Sequence, residues 1–226
     1  MSRLRARLPL LSAVGSCVAG VGSYLRIAWW GLVSPAIERG ELVVVQAVVR
    51  DGDQVLLAVR NDIRGWELPG GQVEGLESLE EALEREVREE TGLVIAVDRH
   101  VGTYRRTGFR PHVAQVFACR PVAGELRTSG ESRALAWFHP LLLPDTLFPW
   151  YLEPLRDAFV PDADPVEREE RQGAGAIWAA AKIDLRMRWR GDRPTKSAPA
   201  VNSEGASCEV RNPSRQRTRG SASESD

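Results

Sequence analysis

Three glutamates, Glu86, Glu89 and Glu90, recur at helical spacing within an acidic stretch that runs from residue 71 to residue 93. Residues three and four apart are neighbours on a helix surface, so these carboxylates would share one face. Like charges at this spacing destabilise a helix by roughly 0.2–0.5 kcal/mol per pair. A hard divalent cation such as magnesium, which prefers oxygen ligands, would reverse the sign of that interaction. The spacing therefore predicts a helix that holds metal.

Local signals set the limits of this helix. It should begin after Gly75, with Ser78 or Glu77 as the capping residue, and end at Gly92, because glycine takes the left-handed conformation without steric cost. Apolar residues at helical spacing would bury one side of it. They are Leu76, Leu79, Ala82, Leu83 and Val87.

The segments around this helix read mainly as strands. Leu42–Arg50 and Gln54–Arg60 are apolar and separated by a turn signal, so they predict a β-hairpin. Shorter strands are predicted at 66–68, 93–97, 101–105, 112–120 and 134–138, and helices within 140–159 and at 174–190. The sequence therefore predicts an α/β fold, with a mixed β-sheet between the acidic helix and a C-terminal helix.

The acidic stretch also has a fixed order of residues. Gly71 is followed after five residues by Glu77, and after seven more by Arg85-Glu86-Val87-Arg88-Glu89-Glu90-Thr91-Gly92-Leu93. This order resembles the Nudix box, the signature of the MutT-like Nudix hydrolase family. The resemblance extends back through Gly65–Gly71 and is expected to cover residues 42–159. It implies a Nudix-type α/β/α sandwich with a loop–helix–loop catalytic motif.

The resemblance also implies an activity. Nudix enzymes cut within the pyrophosphate of a nucleoside diphosphate linked to another group, and they use Mg²⁺ or Mn²⁺. It assigns Glu86, Glu89 and Glu90 as metal ligands and Arg85 as the residue that orients a catalytic glutamate. Glu89 and the loop residue Glu131 are alternative general bases, and the sequence does not choose between them.

Other positions of the motif are assigned structural roles. Gly71 lets the backbone approach the metal site closely, Glu77 helps to fix the loop before the helix, and Gly92 ends the helix. Candidate substrate contacts are Trp66, Arg105 and His112. Each has a structural alternative. Trp66 is equally well explained as a core residue, Arg105 as a surface charge, and His112 as a polar strand end.

The substrate class stays broad at this stage: a nucleoside triphosphate, ADP-ribose or a nucleotide sugar. Two rival hypotheses keep the fold. One is a non-catalytic module that senses a nucleotide, and the other is a membrane-associated Nudix enzyme that acts on another diphosphate. A homodimer is a further alternative that the sequence leaves open.

Composition and charge limit the kinds of partner and the cellular compartment to be expected. The 226 residues are 43% apolar and 27% charged with a net charge of −1, so no general affinity for nucleic acid is expected. Three cysteines without metal-type spacing favour a reducing, cytoplasmic setting. We predict an N-terminal extension at 1–40, a Nudix domain at 41–160, a charged linker with a helix at 161–190, and a disordered tail at 191–226.

The N-terminal extension has three interpretations. Basic residues at Arg3, Arg5 and Arg7 precede an apolar stretch rich in small residues, followed by Trp29 and Trp30. This pattern fits an extension that packs on the domain, an amphipathic helix in peripheral contact with a membrane, or an export signal.

Overall fold

A computed structural model describes residues 42–108 and 111–190, together with the backbone of residues 200 and 201. The predictions for residues 1–41, and for the C-terminal tail apart from residues 200 and 201, lie outside the described residues. The strands are β1 Val43–Asp51, β2 Gln54–Arg60, β3 Trp66–Glu67, β4 Gly70–Gln72, β5 Leu93–Gly108, β6 His112–Gly124, β7 Ser132–Phe138, β8 Val166–Gln172 and β9 Ala200–Val201. The helices are α1 Leu79–Thr91, α2 Leu152–Ala158 and α3 Ala174–Arg190, with 3₁₀ turns at Pro140–Leu142 and Pro149–Tyr151.

The strands form a mixed sheet in the order β8-β5-β6-β1-β2-β7-β9. β1 runs parallel to β6 from the pair Val43–Val113 to the pair Val49–Cys119. β1 and β2 pair only beside their turn, at Arg50–Val55 and Asp51–Gln54. Farther from the turn, β4 takes the place beside β1 and β3 pairs with β2, whereas β7 pairs with β2 from Val55 onwards. This divergence allows β4 to enter next to the parallel core of the sheet.

Apolar side chains on the two faces of the sheet form two hydrophobic clusters. Successive residues of a strand point to opposite faces, so Val45, Ala47 and Val49 of β1 lie in one cluster and Val48 lies in the other. The first cluster contains the buried side of α1, and the second contains residues of α2 and α3. The predicted α/β/α architecture is confirmed.

Two segments differ from the sequence prediction. β5 is one continuous strand, whereas the polar residues 98–100 predicted an interruption. Register shifts against β6 accommodate these residues, as β-bulges do. Residues 166–172 were predicted as charged linker, but they form β8, which pairs in parallel with β5 from Gly102–Val166 to Gly108–Gln172. β8 lies at the edge of the sheet and is mostly exposed, so charged side chains are compatible with a strand there.

α3 is the helix that the sequence predicted at 174–190. Its Ile183 and Met187 are buried in the same cluster as Leu155 of α2. Within the part of the chain that the structure describes, no helix is both long enough and apolar enough to cross a bilayer.

Candidate active site

α1 begins and ends through local hydrogen bonds. Ser78 caps the helix: its hydroxyl accepts from the Glu81 amide at 3.2 Å, and the Glu81 carboxylate accepts from the Ser78 amide at 2.8 Å. This reciprocal capping box satisfies two amides that would otherwise lack partners. Gly92 ends the helix at φ 77°, and its amide donates to Arg88 O at 3.0 Å. Ser78, not Glu77, is therefore the cap.

Glu77 joins the loop before α1 to the helix itself. Arg85 donates to both of its carboxylate oxygens, at 3.1 and 2.7 Å, and the Glu74 amide donates to it at 2.6 Å. Arg85 also donates to Gln72 O at 3.1 Å. The hydrogen bonds from Arg85 lower the pKa of Glu77, so the carboxylate is held in its charged form. This geometry suits the accessory role that the sequence suggested for Glu77.

The remaining contacts of Arg85 reach two of the candidate metal ligands. Its Nη1 donates to Glu86 Oε1 at 2.9 Å and lies 3.6 Å from Glu89 Oε2. Arg85 is thus closer to Glu86 than to Glu89. Its predicted role in orienting a catalytic glutamate stays a prediction.

β4 brings Gly71 directly against the Glu86 carboxylate. A Cβ built on Gly71 would lie 2.3 Å from both Cδ and Oε1 of Glu86. Glycine at this position therefore leaves the space that the carboxylate occupies. Burial raises the pKa of Glu86, and the negative charges of Glu89 and Glu131 act in the same direction.

Glu90 is the most enclosed of the three helix glutamates. Its side chain is buried, and it accepts a hydrogen bond from the Gly70 amide at 3.0 Å. Burial raises the pKa of Glu90 to about 7, and the charges of Glu86 and Glu131 add to the shift.

Glu67 is a further buried carboxylate, which the sequence analysis missed. It accepts from the Tyr151 hydroxyl at 3.1 Å and lies 3.8 Å from Arg60 Nε. Burial raises the pKa of Glu67 to about 8, and the negative charge of Glu90 contributes. The only local signal for this site was a charged residue between Trp66 and Leu68, both apolar.

Glu131 lies in the loop between β6 and β7, close to the end of α1. Asn61 N donates to Glu131 O at 2.9 Å, and Arg127 N in the same loop donates to Thr91 O at 2.8 Å. The exposed Glu131 carboxylate helps to raise the pKa of both Glu86 and Glu90. The fold thus brings Glu131 into the electrostatic neighbourhood of the helix glutamates.

The three candidate substrate contacts, Trp66, Arg105 and His112, have different surroundings from the helix glutamates. Trp66 is fully buried and packs edge-on against Phe138, with ring centroids 4.9 Å apart. This burial suits the core interpretation of Trp66, and its contact with substrate stays a prediction. His112 Nε2 lies 3.3 Å from Nη1 of the buried Arg106, and Arg105 is half-buried on β5. Substrate contact by Arg105 and His112 stays a prediction.

The donor set fits a hard divalent cation. Glu67, Glu86, Glu89, Glu90 and Glu131 offer only carboxylate oxygens, and Gly71 leaves room beside one of them. Glu86 accepts a hydrogen bond from Arg85, and Glu90 accepts one from the Gly70 amide. No three carboxylate, imidazole or thiol groups within residues 42–108 and 111–190 surround a single point. The individual ligand assignments stay predictions.

Comparison with known proteins identifies the family. A family model of the NUDIX domain matches residues 40–159. The chain belongs to the Nudix family. A MutT-like protein of Streptomyces ambofaciens is 42% identical to this Nudix protein over 115 residues, which cover 51% of this chain and 74% of the relative. Membership confirms the prediction of a Nudix pyrophosphohydrolase that acts on nucleotide derivatives.

Two further comparisons bear on substrate and fold. An ADP-ribose pyrophosphatase of Methanocaldococcus jannaschii is 33% identical over 112 residues, 47% of this chain and 66% of the relative. The crystal structure of a NUDIX hydrolase from Nitrosomonas europaea matches with a TM-score of 0.55 over 60% of this chain and 82% of that one. At 19% identity, this second likeness shows the fold alone.

Proposed function

We propose that this Nudix protein hydrolyses the pyrophosphate linkage of a nucleoside diphosphate derivative, with Mg²⁺ or Mn²⁺ held by Glu86, Glu89 and Glu90. The observation that carries the proposal is the clustering of more carboxylates than cationic side chains around the buried end of α1. Arg60 and Arg85 are the cations that act on Glu67, Glu86 and Glu90, which also feel the charges of Glu89 and Glu131. Arg85 is in addition shared with Glu77. A bound cation would offset this excess, neutralise phosphate oxygens and lower the pKa of a water molecule.

Glu131 is the general base in this proposal. Its carboxylate is exposed, and its loop is hydrogen-bonded to Asn61 and to the end of α1, so it can face a bound substrate while its backbone stays fixed. Glu89, the alternative base, is also exposed, but it is within ion-pair distance of Arg85. Because its carboxylate is close to both Arg85 and the other helix glutamates, Glu89 is assigned here as a metal ligand, and Glu131 as the base.

ADP-ribose is the first substrate to test. The support for it is the 33% identity to a protein named as an ADP-ribose pyrophosphatase. Nucleoside triphosphates, nucleotide sugars and dinucleotides contain the same anhydride linkage and complete the panel. Incubation of each compound with Mg²⁺, with Mn²⁺ and with a chelator, followed by mass spectrometry of the products, identifies the substrate and the bond cut.

Glutamine variants separate the assigned roles. Glu90→Gln should raise the Mg²⁺ concentration needed for half-maximal rate, because it removes a ligand charge. Glu131→Gln should leave that concentration unchanged and lower kcat by about 10²–10⁴. Glu84→Gln is the matched control on the exposed side of α1 and should behave as wild type. Full activity of a folded Glu90→Gln variant would show that the metal assignment is wrong.

A cytoplasmic location is also part of this proposal. It is supported by the sparse cysteines and by Cys119, a buried free thiol in the described structure. Fractionation of cells that express the full chain tests it, and recovery of the protein outside the cytoplasm would contradict it.

A further inference from the structure

The outward face of α3 carries an exposed apolar ridge. Trp178, Leu185 and Trp189 are seven and four residues apart, so they lie along one line of the helix. Their exposed fractions are 66%, 55% and 65%. Trp178 and Trp189 are 11 residues apart, which is roughly 16 Å at the rise of an α-helix. Side chains of this size are rarely left in water as a continuous line without a partner.

The opposite face of α3 is fixed to the domain. Ile183 and Met187 lie in the core, and Asp184 Oδ1 accepts from the Arg64 amide at 2.7 Å. Arg188 donates to Asp184 Oδ2 at 2.7 Å and to Asp62 O at 2.9 Å. These contacts prevent the helix from rotating to bury the ridge, so the domain presents the ridge outwards.

Cationic side chains accompany the ridge. Lys182 lies within it, with Nζ 5.9 Å from the centroid of the Trp178 ring. Arg186 and Arg190 follow along one flank, and both lie near Asp145, at 3.0 and 3.7 Å. Arg186 and Arg190 share the Asp145 carboxylate, so these three side chains, together with Lys182, are net positive beside the ridge.

We propose that this ridge docks the protein peripherally on an anionic lipid surface. Indole rings favour the membrane interface, where one edge meets lipid and the polar N–H stays hydrated. Lysine and arginine beside them attract anionic headgroups. A second copy of the chain is a poorer partner, since isologous contact would bring two sets of these cations together and interface cores are depleted in charge.

The N-terminal extension is consistent with such a surface by composition. It also contains arginines and a pair of tryptophans, Trp29 and Trp30, although it lies outside the described residues. The inference for α3 rests on its own apolar ridge and the cations beside it, and it does not require the extension to bind.

The test is sedimentation of the full-length protein with vesicles made of equal parts phosphatidylcholine and phosphatidylglycerol. The wild type should bind, and Trp178→Ser/Trp189→Ser should bind at least about tenfold more weakly, because the two indoles supply most of the apolar ridge. Binding should fall with added salt and be weak to pure phosphatidylcholine vesicles. The control Val94→Thr/Val122→Thr removes exposed apolar surface elsewhere, on β5 and β6, and should bind as wild type.

The same variants distinguish a lipid surface from a second copy of the chain as the partner that covers the ridge. Equal vesicle binding by wild type and the double tryptophan variant would overturn the proposal. So would a wild-type dimer in size-exclusion chromatography that becomes monomeric in this variant, because a second copy would then cover the ridge. The tryptophan variant should keep wild-type activity on a soluble substrate and its melting temperature, which excludes misfolding as the cause of lost binding.

Discussion

Gly71→Ala isolates the contact between β4 and the glutamate that we assign to metal. The added Cβ would lie 2.3–2.4 Å from the three terminal atoms of the Glu86 carboxyl group. Ordinary van der Waals contact requires about 3.5 Å, so the carboxylate must move by at least about 1 Å. The clashing atoms are the far end of a flexible side chain, and Gly71 does not have a positive φ. The backbone can therefore stay in place while the carboxylate turns away.

The expected result is a loss of activity without a loss of the fold. Displacement of a catalytic group by 1 Å can lower the rate about 100-fold. The free energy of unfolding should change by less than about 1 kcal/mol, which corresponds to roughly 2–4 °C in Tm for a domain of this size. Steady-state kinetics at several Mg²⁺ concentrations and thermal unfolding measure the two effects separately. The concentration of Mg²⁺ at half-maximal rate should rise.

Gly70→Ala is the matched control in the preceding residue. Gly70 has φ +148°, and a Cβ there would lie 2.1 Å from Val45 O, a backbone atom of β1 that cannot turn aside. Backbone strain alone costs about 1–3 kcal/mol. The Gly70→Ala variant should therefore lose stability, and Gly71→Ala should not.

Two results would refute this reasoning. If Gly71→Ala kept wild-type kcat/KM and the wild-type response to Mg²⁺, the position of the Glu86 carboxylate would not matter for catalysis. If Gly71→Ala and Gly70→Ala lost the same stability, the activity loss would reflect the fold and not Glu86.

Three further predictions concern stability. Ser78→Ala should cost about 1 kcal/mol in chemical denaturation, because it removes the α1 cap, whereas Ser78→Thr should cost less; equal losses would argue against the cap. Burial raises the pKa of Glu67 from its ordinary value of 4.5 to about 8, so the folded state binds the extra proton, and the metal-free protein should lose stability as pH rises between these values. Glu67→Gln should flatten this part of the profile of unfolding free energy against pH, and an unchanged slope would contradict the assignment. Asp184→Ala should destabilise the protein by about 3–5 kcal/mol, because it leaves the buried Arg188 without this carboxylate, and a loss no larger than for the exposed control Asp53→Ala would contradict it.

The parts of the site that the sequence could predict are those set by local chemistry. The limits of α1 follow from Ser78 and Gly92, and its buried side includes the predicted Ala82, Leu83 and Val87. The prediction that Leu76 belongs to that side is wrong, because Leu76 precedes the helix and is exposed. The placement of Glu86, Glu89 and Glu90 on one helix follows from their spacing. The role of Ser78 over Glu77 could not be decided from sequence, because both residues can accept a hydrogen bond at the start of a helix.

The features of the fold and site that the sequence could not predict depend on residues far away in the chain. Glu67 is held by Tyr151, 84 residues away, and its raised pKa is a property of the folded core. β8 lacks apolar alternation because it is an exposed edge strand, and only its pairing with β5 makes it a strand. Trp66 could be a core or a pocket residue by type, and its packing against Phe138 in the core could not be read from the sequence.

The loop between β2 and β3 connects these distant elements to the site. Arg60 at its start makes two hydrogen bonds to Asp62, at 2.8 and 3.1 Å, and lies near Glu67 at its end. Within the loop, Asp62 O accepts a hydrogen bond from Arg188 of α3, and the Arg64 amide donates one to Asp184 of α3. α3 follows the segment that the family model matches, yet it holds the loop that leads into Glu67. The C-terminal helix is therefore part of the framework that supports the buried carboxylates, and the match at 40–159 is shorter than the unit that packs together.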